Sequence, residues 1–144
     1  MLYTSLKLLK QHHACANRYH HLAQALGGVK HYGLDTPIPL SRILKNNGLE
    51  DTLWALRATT VPCDRETRLL VCCYAEHILP LFESKYPLDK RPHQAVETSR
   101  RFANGLAKLG KLVTAYAAAA SVARDAGDAE RDWQQAKLVE MLGQ

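Results

Sequence analysis

The sequence contains no apolar run approaching the ~20 residues that a membrane-spanning helix needs, so no membrane-embedded segment is expected. Its opening, MLYTSLKLLK, lacks a charged start followed by an apolar core and a small-residue cleavage site, so no secretory signal is read there. Cysteine is scarce, at positions 15, 63, 72 and 73, and shows no framework spacing. Cys72 and Cys73 are adjacent, and on a helix their side chains diverge by about 100°. Reduced thiols in a cytoplasm are the expectation, with at least one of this pair packed as a small apolar group. Catalytic signatures are missing too: there is no C-x-x-C, H-E-x-x-H, G-x-S-x-G or phosphate-cradling glycine loop. No enzymatic activity and no cofactor are therefore expected. No segment alternates with period two and no repeat of 20–50 residues occurs, which argues against a sheet and against a solenoid.

What the chain does have is helical periodicity. At 144 residues it matches one domain of ordinary size. The stretch Cys63–Tyr86, CDRETRLLVCCYAEHILPLFESKY, is its longest apolar run. Leu69, Leu70, Cys73, His77 and Leu81 recur at steps of three and four, and Tyr74, Ile78 and Phe82 follow the neighbouring face. A helix apolar nearly all round has to be covered by others. Asp64 can cap its start. Pro80 removes one backbone donor and predicts a kink near Glu76–Pro80, and Pro87 marks the end.

Around it, shorter helices are expected. Thr4 caps one carrying Leu6, Leu8 and Leu9, and Asn17 caps a second that runs through Leu26 and stops at Gly27–Gly28. Val29–Pro39 reads as irregular. Pro39 opens a helix LSRILKNN ended by Gly48, and DTLWALRA follows with negative charge at its start. After Pro87, a helix with Pro92 in its first turn buries Ala95, Val96, Ser99 and Phe102–Ala103 and closes at Gly105. A helix from Leu106 to about Ala126 has the stripe Leu109, Leu112, Val113, Tyr116, Ala117 and Ala120. In the last helix, begun at Asp128, Trp133, Ala136, Val139 and Leu142 are expected to face the core. The fold class is thus all-α: a compact bundle of about seven or eight helices around a buried, Pro-kinked central helix at about 64–86. The chain reads as a single helical domain over 1–144, with a short-helix half at 1–61 and a longer-helix half at 62–144.

Four groups of residues bear on function. His12, His13, Cys15, His20, His21 and His31 are zinc-type ligands, but they lack paired short spacings, and surface histidines are the preferred reading, with no metal site assigned. Cys73 and His77, at i and i+4, lack an orienting third group and an oxyanion hole. Trp54 and Trp133 read as core. The net charge of +5 is uneven: residues 1–62 carry +4, and residues 85–111 alone carry +5. From that basic stretch, Lys90, Arg91, His93, Arg100, Arg101, Lys108 and Lys111 are the candidate partner-binding residues. A basic patch favours acidic partners. Base-stacking aromatics are sparse there and no helix-turn-helix is seen, so a protein partner ranks ahead of nucleic acid.

The second half carries a family resemblance. The run RLLVCCYAEHILPLFESKYPLDKRPHQAVETSRRFANG, followed by AYAAAASVARDAGDAERDWQQAKLVEMLG, resembles immunity proteins of bacterial polymorphic toxin systems over about residues 65–143. The matching elements are Cys73, Ala75, Glu76, Leu79–Glu83, Tyr86, Pro87, Asp89, Arg91, Pro92, Ala95–Glu97, Arg100–Arg101, Trp133, Gln134 and Leu138. The first half resembles leading segments of small phage and prophage proteins. The resemblance implies a helical protein that neutralises a toxin or defence effector by binding it. A phage-encoded inhibitor of a host defence system, such as an anti-CRISPR protein, and a nucleic-acid-binding phage accessory protein are the alternatives.

Overall fold

The computed structural model describes residues 1–109, 111 and 128–143. Among them are eight α-helices, one short 3-10 turn and a two-stranded ribbon. The residues group into two units, Met1–Cys63 with Val139–Gln144, and Asp64–Leu138.

In the first unit the chain begins with β1 (Tyr3–Thr4), which pairs antiparallel with β2 (Ile38–Pro39), Thr4 opposite Ile38. This ribbon corrects the expectation of no sheet. Two residues per strand are too few to leave any alternating pattern, and the pairing joins segments 35 residues apart. Flanking bonds extend it: Leu40 N–H donates to Leu2 O at 3.0 Å and Thr60 N–H to Tyr3 O at 2.8 Å. Thr4 is fully buried and its hydroxyl donates to Ala58 O. It is therefore tied to a distant carbonyl and does not cap α1 (Leu6–Gln11). Ser5 does so, its Oγ accepting from Leu8 N–H at 3.2 Å.

Helix α2 (Ala16–Ala25) starts after Cys15, two residues earlier than an Asn17 cap would set it, and ends before Gly27 and Gly28, both at positive φ. The stretch expected to be irregular contains one turn of helix, α3 (Val29–Tyr32). Helix α4 (Leu40–Asn47) has the predicted limits. Gly48, at φ 88° and ψ −176°, reverses the chain into α5 (Leu49–Ala55), which tightens into the 3-10 turn Leu56–Ala58. The core of this unit holds Leu6, Leu9, Leu22, Leu26, Ile38, Leu40 and Ile43, with Thr52 also fully buried, its Oγ1 donating to Gly48 O at 2.8 Å.

The second unit is built on a helical hairpin, α6 (Asp64–Lys85) and α7 (Arg91–Ala103). Cross-links at Arg65–Asn104, Cys72–Val96, Glu76–Arg100 and Glu83–Lys90 fix an antiparallel register. Helix α6 runs through Pro80 without interruption, so no kink is established. Only one N–H is lost, and Glu76, the residue whose carbonyl forfeits it, is exposed and open to water. Nor is α6 buried all round: Leu70, Cys72 and Leu79 are buried, whereas His77 is exposed and Leu81 is 73% exposed. The inner face of α7 is Pro92, Ala95, Val96 and Ser99, close to expectation.

Helix α8 (Asp128–Gly143) buries Leu138 and Leu142, while Val139 is 53% exposed and Ala136 is exposed. Of the expected stripe only Leu142 is buried and Trp133 half-buried. The expected helix from Leu106 to about Ala126 lies largely outside the described residues, and Leu106–Lys108 are not helical.

Candidate interaction surfaces

On α7 each residue turns by 100°. The buried stripe fixes one side, and Arg101 then projects from the opposite side, whereas His93 and Arg100 share a flank. The flank is not free. Arg100 makes a two-pronged ion pair with Glu76, Nε to Oε1 at 3.0 Å and Nη2 to Oε2 at 2.6 Å, and Nη2 lies 3.9 Å from Cys73 Sγ. The hydrogen bonds it donates to Glu76 raise the Arg100 pKa further. Lys90 Nζ and His93 Nδ1 both sit 3.5 Å from Glu83 Oε1. Arg91 grips Asp89 through Nε at 2.8 Å, Nη2 at 2.6 Å and its backbone N–H at 3.1 Å. These bonds hold the Asp89 carboxyl down at about 2.

Four of the seven candidate residues are thus committed to carboxylates within their own unit. With Glu76 and Glu83 included, the basic stretch of +5 falls to +3. Arg101, Lys108 and Lys111 are exposed and make no ion pair among the described residues. Lys90, Arg91 and His93 stand at the start of α7 and Arg100 and Arg101 at its end, roughly 10–15 Å away at 1.5 Å per residue. The patch is therefore two clusters rather than one.

The other candidates resolve differently. The expected packing of the cysteine pair holds, since Cys72 is buried against Val96 O at 3.8 Å, and Cys73 is half-buried. Among the described residues no group of three or more His, Cys, Asp and Glu is placed to hold a metal ion. His21 Nε2 lies 3.0 Å from Asn46 O, and His20 stacks edge-on against Tyr19. In the second unit His77 stacks flat on Trp133 with ring centres 3.8 Å apart, and the Tyr74 hydroxyl donates to Gln134 O at 2.7 Å. Trp133 is an aromatic clasp between α6 and α8, half-buried rather than core.

Periodicity alone does not reveal a cleft of about 240 Å³ in the first unit. Its walls are Leu9, Leu22, Ile43, Ala55 and Trp54, with Cys15 and Tyr19 at one side. A polar clamp closes one edge. Arg18 Nε reaches both Asp51 oxygens at 3.0 and 2.8 Å and Nη2 donates to Asn47 O at 2.8 Å. Asn47 Nδ2 donates back to Arg18 O at 3.1 Å and to Asp51 Oδ2 at 2.8 Å. Asn47 Oδ1 is buried with no partner among the described residues. Arg57 lies over the Trp54 ring, 5.0 Å from its centre. The clamp residues are 29 and 33 positions apart, which is why no local motif signals them.

A family profile described as "Imm-5 like putative immunity protein" matches residues 65–144. That is more than half of the chain. The chain belongs to this immunity family. A search of curated proteins and one of solved structures each returned no match. The immunity-family region contains the α6–α7 hairpin and α8, hence all seven basic candidates, while the cleft is built wholly from residues before it. Among the described residues no helix is long and apolar enough to cross a membrane.

Proposed function

We propose that this protein neutralises a toxic effector by binding it directly in the cytoplasm, without catalysis or cofactor. Membership of the immunity family over the helical hairpin carries this reading. The hairpin suits the task physically. Its Arg100–Glu76 pair links the two helices and Arg91–Asp89 fastens the turn between them, and Arg101, Lys108 and Lys111, which make no ion pair among the described residues, supply positive charge that an acidic patch on the effector would meet. Lys90, Arg91, His93 and Arg100 then act mainly by holding that surface in place. Electrostatic matching of this kind raises association rates more than it tightens the final complex.

The deciding experiment is co-expression with the products of neighbouring genes. Rescue of growth from one toxic product, and its co-purification after nuclease treatment at moderate salt, is the expected result. Recovery lost with nuclease would instead establish a nucleic-acid-binding accessory protein, whose affinity falls steeply with salt. Rescue from a defence nuclease rather than a toxin would make it an inhibitor of host defence of the anti-CRISPR kind.

A further inference from the structure

We propose that the cleft of the first unit receives one uncharged aromatic side chain bearing a hydrogen-bond donor, a tyrosine or tryptophan of the protein this chain neutralises. The inference rests on the binding role proposed above and adds the chemistry of the contact. Four observations converge on it.

The first is size. About 240 Å³ is below the ~300–1,000 Å³ typical of pockets for whole small molecules and suits a single large side chain. The second is the lining. Leu9, Leu22, Ile43 and Ala55 form an apolar wall, and Trp54 and Tyr19 add aromatic side chains to the lining. The third is charge. Arg18 and Asp51 cancel each other through a two-pronged pair, and Glu50 at the rim is itself engaged. No uncommitted ion in the lining remains to attract a carboxylate, a guanidinium or an ammonium group. The fourth is an unmet acceptor. Asn47 lines the cleft; its two amide protons are spent on Arg18 O and Asp51, and its Oδ1 is a buried oxygen with no donor among the described residues. Such groups are few in folded proteins. The oxygen is sealed from water, so an arriving O–H or N–H would reach it as the Asn47 side chain turns toward the cleft.

The site is also preorganised. Arg18 ties α2 to the end of α4 through the Asn47 backbone carbonyl and to the start of α5 through Asp51, bonds that do not use the Asn47 amide, so the walls are held before anything binds. Anchoring aromatic residues in rigid, apolar, water-excluding pockets is how protein interfaces concentrate their affinity.

The test uses the full chain and side-chain analogues, so it needs no partner. Amide and indole NMR shifts are followed during titration with p-cresol, 4-methylanisole, toluene, acetate and guanidinium. The expected result is saturable shifts confined to the cleft, including the Trp54 indole N–H and the Asn47 side-chain amide. p-Cresol should bind roughly 5-fold more tightly than its methyl ether, the effect of one ordinary hydrogen bond, and the two ions should not bind there. Equal binding of cresol and ether would overturn the donor requirement. Guanidinium or acetate saturating the cleft would overturn the neutral occupant, and shifts scattered over the surface or absent would overturn the site. A second arm links the cleft to the partner. Cys15 lines it and is exposed, so alkylating the folded Cys73→Ala protein at Cys15 with N-ethylmaleimide should block both cresol binding and capture of the co-expressed toxic product. Capture that persists with the cleft blocked would overturn the assignment of the occupant to that partner. Failure of the cresol arm leaves toxin neutralisation standing, because the co-expression assay does not depend on the cleft.

Discussion

Arg100 and Arg101 are neighbours in sequence with opposite fates. Arg100 is held by Glu76 across the hairpin, while Arg101 is exposed and makes no ion pair among the described residues. Both members of the Arg100–Glu76 pair are more than a third exposed, so solvent screening keeps its value small. Arg100→Ala should lower stability in urea by under about 1 kcal/mol. Arg100→Glu should lower it further, since it sets two carboxylates against each other. Arg101→Glu should stay within about 0.5 kcal/mol of the parent while slowing capture of an acidic effector. Loss of capture by Arg100→Glu would therefore confound folding with binding, and Arg101→Glu is the clean variant. Asp89 offers a pH readout. Its folded pKa, about 2, lies below the ordinary 3.8 because of the hydrogen bonds from Arg91. A depressed carboxyl adds stability above its unfolded pKa and loses it as pH falls through the folded one. The stability difference between the parent and Asp89→Asn should thus be constant above about pH 4 and close towards pH 2. An NMR titration of Arg91→Ala should return Asp89 towards 3.8.

At the scale of elements, the turn between α4 and α5 depends on one backbone conformation. Gly48 combines φ 88° with ψ −176°, a region that residues with a Cβ avoid. A Cβ there would meet no atom within 4 Å, so the cost of substitution is backbone strain alone. Gly48→Ala should cost about 1–3 kcal/mol. Gly48→Asn should rescue little, because asparagine tolerates the left-handed helical region and not this one. Helix α8 provides a test of orientation. Leu138 is fully buried and Val139 is 53% exposed. Leu138→Ala should cost about 2–5 kcal/mol, and Val139→Ala less than about 0.5 kcal/mol. Comparable losses would mean that the helix is rotated. Helix limits were largely legible in the sequence, α4 and the start of α6 above all, because glycine, proline and an aspartate in the first turn act locally. Caps were less so. Thr4 and Ser5 are both good caps, and only the distant Ala58 carbonyl decides that Thr4 is used elsewhere.

For the whole molecule, the basic balance is the property a partner meets first. Reversing Arg101, Lys108 and Lys111 to Glu removes two charges at each site and takes the formal net charge from +5 to −1. The helical circular dichroism spectrum should not change, because these side chains are exposed and make no ion pair among the described residues. Association with an acidic effector should slow, and its dependence on salt should flatten, as measured by stopped-flow at several ionic strengths. An unchanged association rate would remove this surface from the binding role.

By itself the sequence determined the helical class, most helix limits, the uneven charge and, through the residues from Cys73 to Arg101 with Trp133, Gln134 and Leu138, the immunity family. These follow from periodicity, local stops and motif spacing, all readable within a window of a few residues. Only the tertiary structure decided which cations are spent on carboxylates, which side of α6 and α8 is covered, and that Arg18, Asn47 and Asp51 meet at the edge of a cleft. Ion pairing and concavity depend on groups brought together from distant positions, and no local pattern encodes the distance between them.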